Sequence, residues 1–149
     1  MFAAPSIIGN PMVGGSQLAI NQMILSPNKN FKLVMQSDGN LVVYQTIDQK
    51  PLWASGTMNS GAIVARMQLD GNFVLYNANN ASKWATNTNG HPGAILTLLD
   101  TADLVVYTSI TNLTVLWTSG TTAAATTSTT TTTTAMTTTT IDPSKLQIV

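Results

Sequence analysis

A unit of about thirty residues recurs three times along this chain, and that recurrence leaves few folds open. Tyr44, Tyr76 and Tyr107 are followed by Trp53, Trp84 and Trp117 in turn. Each tryptophan leads into a turn-like run: Ala54-Ser55-Gly56-Thr57, Ala85-Thr86-Asn87-Thr88 and Thr118-Ser119-Gly120-Thr121. Around the aromatic positions the segments are short, alternating and rich in β-formers. Clusters such as Ser26-Pro27-Asn28-Lys29-Asn30 and Asn87-Thr88-Asn89-Gly90-His91-Pro92-Gly93 separate them. No window shows helical periodicity, so the expected class is all-β. A single repeat is too small to bury its own apolar face. Three equivalent strand groups are therefore expected to stack around a pseudo-threefold axis, with Trp53, Trp84 and Trp117 filling the shared centre. Stacking of those rings on a sugar is the weaker alternative.

Inside the repeat lies a nine-residue motif. Gln36-Ser37-Asp38-Gly39-Asn40-Leu41-Val42-Val43-Tyr44 returns as Gln68-Leu69-Asp70-Gly71-Asn72-Phe73-Val74-Leu75-Tyr76. Read at period two, Gln, Asp, Asn, Val and Tyr share one face of a strand in each copy. A carboxylate, two amides, a phenol and a small apolar surface are suited to a polyhydroxylated ring. The third copy, Leu99-Asp100-Thr101-Ala102-Asp103-Leu104-Val105-Val106-Tyr107, keeps only the valine and the tyrosine. Leu99 cannot donate, and Asp103 in place of asparagine offers only acceptors.

These residues resemble the bulb-type mannose-binding lectins of monocots, over roughly residues 18–121. The resemblance implies a β-prism II of three four-stranded antiparallel sheets and calcium-independent binding of terminal mannose. It also implies dimerisation through exchange of C-terminal strands. Carried over position by position, it places one carbohydrate site at Gln36, Asp38, Asn40, Val42 and Tyr44, and a second at Gln68, Asp70, Asn72, Val74 and Tyr76. In each, the Asp would accept from ring hydroxyls, the axial one included, and the Asn would donate to that axial oxygen. The Gln would serve its neighbour and the Tyr the next hydroxyl, with the Val packed on the C–H face. The disulfide common in plant members aligns with Gly39 and Ile63, so that clip is absent here.

Composition narrows the function further. Net charge is zero, 8% of residues are charged, and Arg66 is the one arginine. Such a chain has no electrostatic footprint for nucleic acid or an anionic membrane, and zero net charge favours self-association. Without cysteine there is no thiol nucleophile or thiolate metal site. His91, the single histidine, reads as a turn residue, and Asp38 and Asp70 fall in different repeats, too far apart for a glycosidase pair. No enzyme, no metal and no cofactor are expected. Neither a signal peptide nor a membrane span is visible, and localisation stays open between the cytoplasm and secretion. The sequons at Asn80 and Asn112 would matter only in a secreted chain.

Four regions follow: a lead-in (1–17), the lectin-like domain (18–121, with Leu18–Leu25 supplying the first strands), a Thr-rich segment (122–140) and a C-terminal segment (141–149). Fourteen of the twenty residues from Thr121 to Thr140 are threonine. The leading expectation is a calcium-independent mannose-binding lectin with two intact sites, acting multivalently on mannose-containing glycans as a homo-oligomer. The competing one is a self-assembling structural glycoprotein on the same fold, its subunits linked by the C-terminal segment.

Overall fold

The computed structural model describes residues 6–121; the Thr-rich and C-terminal segments, and the expectations attached to them, lie outside the described residues. Eleven strands and no helix make up the described chain. In the first sheet the order is β2 (Met23–Leu25), β3 (Phe31–Met35), β4 (Leu41–Gln45), β5 (Pro51–Ala54). The second runs β1 (Gln17–Ala19), β6 (Ala62–Met67), β7 (Phe73–Asn77), β8 (Ser82–Ala85). The third holds β9 (Ile95–Leu98), β10 (Leu104–Tyr107) and β11 (Val115–Thr118). Every pairing between these strands is antiparallel. This is the expected prism, with one difference: the third sheet has three strands where four were expected.

Alternation explains why the strands form and which way they face. In β3, Phe31, Leu33 and Met35 are buried while Lys32 and Val34 are partly open. Leu41 and Val43 of β4, Phe73 and Leu75 of β7, and Leu104 and Val106 of β10 meet in the common core. The three tryptophans close it. Their ring centroids lie 5.5–5.8 Å apart at interplanar angles of 67–81°, so each ring presents an edge to another's face. The same bulge sits beside each tryptophan, since Trp53 pairs with Val43 and Pro51 with Tyr44, leaving Leu52 unpaired. Lys83 and Leu116 occupy that place in the other repeats.

Residues 6–25 act as a ribbon that visits all three sheets. Met12 bridges Leu96 on the outer edge of β9, donating its N–H and accepting from Leu96 N at 2.8 and 3.0 Å. Gln17–Ala19 then pair with β6 and Met23–Leu25 with β3. Ile8 N and Ser6 O bond Met23 on the free side of β2. The lead-in expected over 1–17 is thus structural from Ser6 onward. Met12, fully buried, is part of the core.

Candidate functional site

Each motif is a turn joined to a strand. Gln36, Asp38 and Asn40 precede β4 and lie in the connection from β3, where Gln36 N donates to Asn40 O and Gly39 N to Gln36 O. Only Val42 and Tyr44 lie on the strand itself. The single strand face read from period two is therefore corrected. Gly39, at φ 88°, turns the chain back on itself, so alternation does not carry through the first half of the motif. The second copy repeats this with Gln68, Asp70 and Asn72 in the turn, Gly71 at φ 90°, and Val74 and Tyr76 on β7.

The side chains form one hydrogen-bonded constellation, built twice. Asp38 Oδ1 accepts from Asn40 N at 2.9 Å, and Asp70 Oδ1 from Asn72 N at 2.9 Å. In both copies the second carboxylate oxygen has no protein partner among the described residues. Gln36 Nε2 donates to Tyr44 Oη at 2.6 Å, and Gln68 Nε2 to Tyr76 Oη at 2.6 Å. Each phenol thus has its proton left to give. Val42 and Val74 lie beneath as a floor, each only 3% exposed.

The asparagines are held from behind by residues whose part was not evident from the repeat. Asn40 Oδ1 accepts from Ser55 Oγ and Thr57 N, both at 3.1 Å. Asn72 Oδ1 accepts from Thr86 Oγ1 and Thr88 N, both at 3.2 Å. Buried Thr57 and Thr88 then donate to Gly39 O and Gly71 O at 2.7 Å. With Oδ1 committed inward, Nδ2 is the free end of each amide. It is not an orphan, because no buried side-chain nitrogen or oxygen among the described residues lacks a partner. The turn-like runs after the tryptophans therefore anchor the motif, and their Ser/Thr-x-Thr spacing was the available signal.

In the third copy the backbone is preserved and the chemistry is not. Leu99 N donates to Asp103 O and Ala102 N to Leu99 O, with Ala102 at φ 69° standing where the other copies have glycine. Both carboxylate oxygens of Asp103 accept from Thr118 Oγ1, and Oδ1 also from Ser119 Oγ, at 2.7 Å. His91, expected as a turn residue, lies exposed in the loop after β8, where its N–H donates to Asp70 O.

A cation stands beside each complete copy. Lys32 Nζ lies 5.7 Å from the Tyr44 ring centroid and Arg66 Cζ 5.4 Å from that of Tyr76. The motif gave no hint of either. Among the described residues no group of three or more His, Cys, Asp or Glu could hold a metal ion.

Two curated relatives decide the family. The B-type lectin plumieribetin of Scorpaena plumieri is 40% identical over 80 residues, covering 54% of this chain and 68% of that one. A mannose-specific lectin of Aloe arborescens is 34% identical over 96 residues, covering 61% and 80%. This chain belongs to the bulb-type lectin family. No protein-family model matches it. Among solved structures, the mannose-specific agglutinin of snowdrop (Galanthus nivalis) complexed with methyl-α-D-mannoside matches this bulb-type lectin at a TM-score of 0.60. It is 34% identical, with 66% of this chain and 89% of that one covered. The family consists of carbohydrate-binding proteins rather than enzymes.

Proposed function

We propose that this bulb-type lectin binds mannose-containing glycans, without calcium, through two sites: Gln36, Asp38, Asn40, Val42 and Tyr44, and Gln68, Asp70, Asn72, Val74 and Tyr76. The observation that carries this reading is the identical division of labour in both copies. A carboxylate oxygen, an amide N–H and a phenol O–H are left open, while the other carboxylate oxygen, the Asn Oδ1 and the Gln Nε2 are spent on holding them in place. A sugar diol needs that mixture of acceptor and donors. The names of the Aloe and snowdrop lectins support mannose as the sugar.

The third copy, with Asp103 consumed by Thr118 and Ser119 and Leu99 in place of glutamine, is proposed to serve the fold only. About four or five hydrogen bonds of roughly 0.5–1.5 kcal/mol each, less the loss of motional freedom on binding, leave affinity for a single sugar on the order of millimolar. Function then rests on two sites engaging one branched glycan, or on several chains acting together.

Retention on immobilised mannose in the presence of a chelator tests this reading. The wild type is expected to be retained and to elute with free methyl mannoside; the double variant Asp38→Ala, Asp70→Ala is expected to flow through while folded. Flow-through of a folded wild type would refute it.

A further inference from the structure

The two complete sites differ in one respect, the placement of their cation. Arg66 lies on β6 directly opposite Val74, and thus beside the floor of the second site. Its neighbours Ala65 and Met67 face the core, so Arg66 is on the outer face of the sheet with Val74 and Tyr76. In the first site the residue opposite Val42 is Val34, and the cation, Lys32, is displaced to the position opposite Tyr44. The ammonium of Lys32 is tied to Gln49 Oε1, in a β4–β5 loop that also holds Asp48. Opposite Val105 in the third repeat is Thr97, without charge.

Arg66 is otherwise little used. Its one hydrogen bond among the described residues runs from Nη1 to Asn80 Oδ1, at 3.4 Å. The loop carrying Asn80, between β7 and β8, contains no acid. The carboxylate of this site, Asp70, stands at the opposite end of the motif, in the turn before β7. The second site therefore has an acceptor end at Asp70 and a cationic end where Arg66 covers Tyr76. A guanidinium with most of its five N–H groups unspent is a fork for an anionic ester.

We propose that the second site takes mannose residues bearing a phosphate or sulfate ester, with Arg66 receiving the anionic group beside Tyr76. This rests on the mannose-binding reading above and adds a substrate class to it. The first site, with an apolar Val34 at the equivalent register, takes the neutral sugar. Two complete copies of one motif would then read different decorations of the same glycan.

The test uses the full chain carrying Asp38→Ala, so that only the second site is read. Methyl mannoside, mannose 6-phosphate, mannose 6-sulfate and glucose 6-phosphate are titrated at low and high salt. The two mannose esters are expected to bind about five- to twentyfold more tightly than the neutral mannoside at low salt, with the margin shrinking at high salt. A larger margin for the phosphate or for the sulfate identifies which ester the fork prefers. Arg66→Gln should abolish the margin, and Arg66→Lys should keep part of it, with tryptophan fluorescence confirming the fold of both.

A margin of one or less, or one that survives Arg66→Gln, overturns the proposal and leaves mannose binding intact. Loss of neutral and esterified sugar in equal measure on Arg66→Gln also overturns it, by reducing Arg66 to a support for Tyr76. Glucose 6-phosphate binding as well as mannose 6-phosphate would show an anion patch without sugar recognition. Failure to bind any mannose form removes the proposal and the second-site reading together.

Discussion

The side chain of Asn10 pairs with the peptide of Leu98 as a strand backbone would. Its Oδ1 accepts from Leu98 N at 3.1 Å and its Nδ2 donates to Leu98 O at 2.8 Å. Because Met12 bridges Leu96, residue 10 is the antiparallel partner due at Leu98. The carboxamide fills that rung in place of its own main chain. Nδ2 also donates to Leu25 O at 3.0 Å, fastening the edge of the first sheet to that of the third. The outer edge of β9 is thus already bonded at Leu96 and Leu98 within the chain, and a strand donated there by a second copy would have to displace residues 10–12.

Asn10→Ala is expected to lower stability by about 2–3 kcal/mol, since two carbonyls and one N–H of strand edges lose their partner. Asn10→Asp should be worse, because it turns a carboxylate oxygen towards the carbonyls of Leu25 and Leu98. Denaturant unfolding followed by tryptophan fluorescence gives the order. An aspartate variant as stable as the wild type would show that the rung carries no weight.

Asn40→Asp should fold normally and lose the first site. The third copy shows why, because Asp103 already occupies this position and accepts from the hydroxyls of Thr118 and Ser119. What the substitution removes is the outward N–H proposed to donate to the sugar, putting a second acceptor in its place. In an Asp70→Ala background, mannose affinity is expected to fall at least about tenfold with the unfolding midpoint nearly unchanged. Retained binding would mean that the sugar does not depend on Nδ2.

Gly71 and Gly39 hold the same turn and should respond differently to alanine. A Cβ on Gly71 would stand 2.2 Å from His91 O and 2.8 Å from His91 C, both main-chain atoms. On Gly39 the nearest atoms, of Ala62 and Ser60, are at 3.1–3.3 Å. The positive φ alone is tolerable, as Ala102 demonstrates at 69°. Gly39→Ala is therefore expected to destabilise by about 1–2 kcal/mol. Gly71→Ala should exceed it clearly, because the loop carrying His91 must move and Asp70 O loses its bond from His91 N. Equal unfolding midpoints for the two variants would contradict the geometry.

The threefold plan was legible from Tyr44, Tyr76, Tyr107 and the tryptophans, because a repeat that cannot bury its own core must share one. That the motif residues come together was legible from their repetition, but the shape of the arrangement was not. Period-two alternation breaks at Gly39 and Gly71, where positive φ reverses the chain, and a turn that continues the spacing of a strand is indistinguishable from one in the sequence. The one signal for the anchoring role of Ser55, Thr57, Thr86 and Thr88 is their Ser/Thr-x-Thr spacing, which small hydroxyl residues in any turn after a strand would show equally well. Asn10 was beyond reach for a different reason. A side chain that imitates a peptide group leaves no periodic trace, and its partners Leu25 and Leu98 are far along the chain. Lys32 and Arg66 escaped because they belong to the strands before each motif, at different registers.

The three tryptophans should behave as one unit. Each ring meets both others edge to face, with centroids within 5.8 Å, and Trp84 also meets Phe73 at 6.4 Å. Trp84 is partly buried against the core, and removing its ring takes one of two partners from each remaining tryptophan and uncovers Leu75 opposite it, so Trp84→Ala is expected to cost about 3 kcal/mol. Once Trp84 is gone, Trp117→Ala should cost less than it does alone, since their mutual contact has already been lost. A double-mutant cycle on Trp84 and Trp117 should therefore give a coupling of about 0.5–1.5 kcal/mol. Phenylalanine variants keep the measurement possible if the alanine variants do not fold. Strict additivity would mean that each tryptophan packs against its own sheet alone, and that the axis where the three repeats meet contributes nothing of its own to holding them together.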